Sequence, residues 1–122
     1  MKNLIFLLPL FFLQVSWLSA QSPAEYGTPE ERASRMTGKM EEGLGLRPNQ
    51  IDSIHALNLK YARRIQKEVI DTGMNKVSAY FRIRSINKEK EEELFPLLDA
   101  RQREAYDEMK AKATQELLAR FF

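Results

Sequence analysis

The chain has no cysteine, and only one histidine and one tryptophan in 122 residues. Without cysteine it forms no disulfide, carries no thiol-linked lipid, and offers no thiolate to a metal or an electrophile. With His55 as the sole histidine and no catalytic-loop signature, a Ser-His-Asp arrangement has no support, and the clustered Cys, His and carboxylate donors of a zinc site are missing. There is no glycine-rich phosphate cradle, and glycine and proline number only five each. No stretch alternates apolar and polar residues between hairpin turns, which excludes a sheet fold. The carboxylates Glu89, Glu91, Glu92 and Glu93 are nearly consecutive on one helix and point all round it, so they do not form two facing groups in a cleft. The expectation is therefore no enzyme, no metal and no cofactor. The net charge of +2 is too small to argue for nucleic acid.

What is present is a helical composition, with 43% hydrophobic and 30% charged residues in a length that allows one domain. Residues 1–20 read as a secretory signal: Met1-Lys2-Asn3 is the basic start, Leu4 to Val15 the apolar core, and Ser16 to Ala20 the small-residue end. Cleavage is expected after Ala20, or after Ala24 with Ser22 three positions upstream. An uncleaved anchor is the alternative, although the apolar run is shorter than the roughly 20 residues that a span needs. Residues 21–27 read as a flexible linker, and residues 28–122 as the folded domain.

Three helix starts stand out. Thr28-Pro29-Glu30-Glu31 makes a complete capping box, with Thr28 as N-cap, Pro29 at N1 and Glu31 at N3. In Leu46-Arg47-Pro48-Asn49-Gln50 the proline again falls at N1 and Gln50 at N3, but Arg47 cannot accept a bond, so only the return bond from the N-cap N–H to Gln50 is expected. In Leu98-Asp99-Ala100-Arg101-Gln102 both halves of the box are available. The second and third starts share a leucine followed four places on by glutamine, and the copies lie 52 positions apart. A duplicated helical hairpin is one reading, though nothing outside the boxes repeats.

Four helices follow from the periodicity. The first runs from Pro29 to about Glu42 on an Ala33, Met36, Met40, Leu44 stripe, with Gly43 expected to take the left-handed conformation that ends it. The second runs from Pro48 to about Thr72, with Ile51, Ile54, Asn58, Tyr61, Ile65 and Val69 inward. Lys60, Arg63, Arg64 and Lys67 form a basic cluster beside Leu57 and Leu59, read either as a solvated face or as a grip for acidic or unfolded clients. Gly73 breaks this rod, and the third helix extends to Leu94, ended by Pro96. On it Val77, Tyr80, Phe81, Arg84 and Lys88 share one side, and Ile83, Ile86 and Lys90 another. Its charged second half, residues 87–93, is expected to project into solvent or to pair with a basic face. The fourth runs from Ala100 to about Arg120, with Tyr106, Met109, Ala113, Leu117 and Phe121 inward and Lys110 among the residues facing away; the Phe121-Phe122 terminus fits either docking onto the domain or dimer packing.

The paired Leu-x-x-x-Gln boxes resemble the LTxxQ motif that occurs twice in the Spy/CpxP family of small periplasmic helical proteins. Leu46, Pro48, Gln50, Leu98 and Gln102 carry the likeness, which spans roughly residues 30 to 115, while Arg47 and Asp99 stand where the family has threonine. The resemblance implies an all-α, thin and elongated four-helix antiparallel hairpin arrangement, exported to the periplasm and forming a homodimer. It also implies an ATP-independent holdase that binds unfolded envelope proteins, or a regulatory adaptor that binds one folded partner such as a sensor-kinase domain. The spacing in this chain makes Met36, Met40, Leu57, Arg63, Arg64, Lys67, Phe81, Arg82 and Arg84 the candidate client contacts.

Overall fold

The computed structural model describes residues 27–121. The expected signal, most of the linker and Phe122 lie outside the described residues, as do the side chains of Leu117 and Phe121. Within them the chain is all-helical and no residue is in a strand: α1 is Pro29–Leu44, α2 Pro48–Ile65, α3 Lys76–Leu94 and α4 Ala100–Phe121. No described helix is long and apolar enough to cross a membrane.

The Thr28 box forms as expected, with Glu31 N–H donating to Thr28 Oγ1 at 3.0 Å and Thr28 N–H to Glu31 Oε1 at 2.8 Å. At the other end the expected stop at Gly43 is corrected. Gly43 stays helical, and the left-handed residue is Gly45, at φ 66°, whose N–H returns to Glu41 O at 3.1 Å. Two glycines flank Leu44, and burial of Leu44 in the core, at 1% exposure, needs the helix to continue through it.

α2 touches both α1 and α3. Its buried arc is consequently wider than one stripe and takes in Leu57 along with Ile54, Asn58, Tyr61 and Ile65, while Ile51 is only half-buried. The rod does not run on as a plain α-helix to Thr72. Gln66–Ile70 is a π-helical turn, closed by Asp71 N–H on Gln66 O at 2.8 Å. The extra residue in that turn lets Ile65, Val69 and Ile70 all point inward. Gly73, at φ 66°, then turns the chain, and Asn75 caps α3 by accepting from Ser78 N–H at 2.9 Å.

Residue pairs fix the helix directions. Glu30 meets Arg63, Arg32 meets Gln66, and Thr37 meets Asn58, so α1 and α2 run oppositely; Lys60 meets Glu93 and Arg64 meets Glu89, so α2 and α3 do too. The core gathers Met40, Leu44, Ile54, Leu57, Tyr61, Ile65, Val69, Ala79, Ile83, Ile86, Leu94, Leu98 and Tyr106. Lys90 occupies a place in the same α3 stripe and is 8% exposed. The expectation that residues 87–93 all stay out of the core is corrected at this position. Of the α4 stripe, Tyr106 is buried and Met109 and Ala113 are half-buried.

Candidate functional site: two interlocked helix starts

Each start is organised first by its own residues. At α2, Arg47 N–H donates to Gln50 Oε1 at 2.9 Å; the guanidinium accepts nothing, and Gln50 N–H turns to the Arg47 carbonyl at 2.9 Å instead. At α4 the box is complete, with Gln102 N–H on Asp99 Oδ1 at 2.8 Å and Asp99 N–H on Gln102 Oε1 at 3.0 Å. A 3₁₀ turn, Phe95–Leu97, leads into it.

The two starts then pair with each other. Gln50 Nε2 donates to Gln102 Oε1 at 2.8 Å, and Gln102 Nε2 to Gln50 Oε1 at 2.9 Å. The second hydrogen on each amide crosses to the opposite joint: Gln50 Nε2 reaches Leu97 O at 2.9 Å, and Gln102 Nε2 reaches Gly45 O at 3.3 Å. Residues 45 and 97, 47 and 99, and 50 and 102 are therefore exchanged by a local pseudo-two-fold relation. Arg47 and Asp99, which replace the motif threonines, face each other as an ion pair at 3.0 Å. The main-chain N–H of Gln102 and then this guanidinium hold the Asp99 carboxyl below its usual range. Gln50 and Gln102 are buried, and Leu98 is 3% exposed beneath them while Leu46 packs at the core edge. A buried primary amide is costly unless satisfied, and here every amide group is used.

A second polar cluster lies between α1 and α2. Thr37 Oγ1 gives its single hydrogen to Ala33 O at 2.9 Å, so toward its other neighbours it accepts, from Asn58 Nδ2 at 2.9 Å and from His55 Nδ1 at 3.2 Å. That bookkeeping of hydrogens assigns the ring proton of His55 to Nδ1. Nearby, Arg32 is buried and donates to Gly27 O at 2.7 Å and Gln66 Oε1 at 2.9 Å. These partners were not expected from the sequence, because each pairing depends on which helices become neighbours.

The basic cluster of α2 is largely neutralised. Arg63 pairs with Glu30, Lys60 with Glu93, and Arg64 with Glu68 and Glu89, while Arg82 of α3 also binds Glu68. Arg64 and Arg82 together hold Glu68 down to about 2, and Tyr61 and Lys60 lower Glu93. On the α4 side Lys110 does not face away: it meets Glu91 at 2.7 Å, which also accepts from the Tyr106 hydroxyl at 3.0 Å. Burial, then the Glu91 charge, raises the Tyr106 phenol. Thus the charged half of α3 pairs with basic faces on two helices.

Of the candidate client contacts, Met40 and Leu57 are corrected, since at 0% and 8% exposure both are core residues. Met36 is half-buried at the core rim, and Arg64 is half-buried in its ion pairs. Arg63, Lys67, Phe81, Arg82 and Arg84 are exposed, and of these Lys67 and Arg84 make no ion pair among the described residues. No three His, Asp or Glu side chains among the described residues come together to hold a metal ion.

A family model described as a domain of unknown function, DUF4890, matches residues 19–119. The chain belongs to this family. Both glutamine boxes, the Thr28 cap and all four helix starts fall inside the DUF4890 match, which assigns no activity. No curated protein and no solved structure matches the chain.

Proposed function

We propose that this DUF4890 protein is an exported, chaperone-like holdase of the envelope-stress type, which binds unfolded proteins in the periplasm without ATP. In this reading residues 1–20 are removed on export, the helices form a thin hairpin arrangement, and two copies associate. One observation carries it: apolar side chains are dispersed over the surface rather than gathered in a single patch. Val77 and Phe81 are 67% and 59% exposed near the start of α3, Leu97 is 37% exposed beyond its far end, and Met36, Met74 and Met109 line the rim of the core. Unbranched methionines repack against many sequences, and the unpaired cations Lys67 and Arg84 add attraction for acidic clients.

The alternative is a regulatory adaptor for one folded envelope partner such as a sensor-kinase domain. The Tyr80–Phe81 edge-to-face pair, with centroids 5.3 Å apart, favours it, because single-partner surfaces concentrate aromatics. Light scattering from a chemically unfolded, unrelated protein, with and without this chain and without nucleotide, separates the two. Suppression of aggregation at near-stoichiometric amounts, weakened by salt, is the expected result. Absence of suppression would leave the adaptor, to be pursued by pull-down from envelope extract.

A further inference from the structure

The outward face of α3 combines exposed apolar side chains with uncompensated charge. Val77, Phe81, Arg84 and Lys88 are spaced by four, three and four residues, so they leave the helix in one direction, and all four are exposed. No aspartate or glutamate occurs between Asp71 and Glu89, whereas Lys76, Arg82, Arg84 and Lys88 fall within that interval. Arg82 is held by Glu68; Lys76, Arg84 and Lys88 make no ion pair among the described residues. Beyond this interval Glu89, Glu91 and Glu93 are taken up by Arg64, Lys110 and Lys60, and Glu92, exposed at the far end of the helix, makes no ion pair among the described residues.

We propose that this stripe, Val77-Phe81-Arg84-Lys88, docks the folded protein on an anionic phospholipid bilayer surface. The outer face of a packed helix is convex, and an apolar and basic stripe along it can lie against a plane, as interfacial amphipathic helices do. Val77 and Phe81, with Tyr80 edge-to-face against Phe81, supply the apolar contact at the headgroup boundary. Lys76, Arg84 and Lys88 reach the lipid phosphates. Two exposed apolar side chains hold such a contact only weakly, so binding depends on anionic lipid and falls with salt. The inference goes beyond client binding and does not depend on it.

The absence of cysteine makes the test site-specific. Val77→Cys, and separately Ser53→Cys at an exposed position of α2, are labelled in the full chain with an environment-sensitive nitrobenzoxadiazole dye. Each is titrated with vesicles of phosphatidylcholine alone or mixed with phosphatidylglycerol. The expected result is a blue shift at position 77, none at 53, and only with the anionic vesicles. Arg84→Glu with Lys88→Glu, its helicity checked by circular dichroism, is expected to lower the apparent partition coefficient about tenfold or more. No shift at 77 would overturn the proposal. So would equal shifts at both positions, which would place lipid binding elsewhere in the chain. A shift at 77 with an unfolded acidic polypeptide and none with vesicles would also overturn it, and would assign the stripe to polypeptide partners.

Discussion

Gln50 and Gln102 donate to each other through their side-chain amides, at 2.8 and 2.9 Å, across a sequence separation of 52 residues. Each also closes its own helix start and bonds a carbonyl of the opposite joint. Gln102→Ala would therefore orphan the Asp99 N–H, the Gly45 carbonyl and half of the Gln50 amide. A loss of roughly 2–4 kcal/mol is expected, measured by urea unfolding followed by circular dichroism. Because the partners are shared, Gln50→Ala added to Gln102→Ala should cost less than the two single losses together, by about 1 kcal/mol or more. Strict additivity would refute the interlock.

The two glycines at the end of α1 should respond oppositely. Gly45 has φ 66°, where a Cβ is strained, so Gly45→Ala is expected to destabilise by about 1 kcal/mol. Gly43 is helical, and a Cβ there meets only Met109 Sδ at 3.5 Å, an ordinary contact. Gly43→Ala is thus expected to stabilise by about 0.5–1 kcal/mol. Thermal melts of the two variants check the sign.

Lys90 is buried without a hydrogen-bond or ion-pair partner among the described residues, and burial pushes its amine down to about 8. A folded-state value below the unfolded one means that the folded state disfavours the charged form, so the charge costs stability below about pH 8. That cost fades as the pH rises through the window from about 8 to 10.5. Lys90→Met is expected to raise stability at neutral pH by roughly 1–3 kcal/mol, with the gain shrinking in alkaline buffer. A gain independent of pH would show that packing, not charge, is responsible.

Acid should act in the same sense, but in a lower window, on the ion-paired and capping carboxylates. Glu68 is held down to about 2, and Glu93, Asp99, Glu30 and Glu31 are all lowered. Their contribution is present above the unfolded carboxylate range near 4.5 and is lost as the pH falls toward about 2. Melting temperatures recorded across that window should fall steadily, and Glu68→Gln should flatten the lower part of the curve. These groups are partly exposed, so the slope should weaken in salt.

What was legible in the sequence was local. The three capping boxes, the proline stop after Leu94 and the glycine turn at residue 73 depend on residues within a turn of one another, and spacing alone exposes them. The missed features depend on neighbours remote in sequence. Nothing local distinguishes Leu57 from Leu59, and only the position of α2 between α1 and α3 buries the first almost fully and the second by half. Gly-Leu-Gly offers two stops, and burial of Leu44 chooses between them. The π-turn at Gln66–Ile70 leaves no mark in composition, and Lys90 reads as one more charge in a charged run. The repeat spacing of 52 hinted at two related starts, but not that their glutamines would meet.

Closing the Gln50–Gln102 pair means bringing together chain segments 52 residues apart, so the contact carries a loop-closure cost that no local turn shares. The amide protons of Arg47 and Asp99, each held by one of these glutamines, are consequently gauges of global opening: their deuterium exchange should report unfolding of the whole molecule. The amide of Glu31, capped only by nearby Thr28, should exchange through fraying of the first turn, on a faster clock.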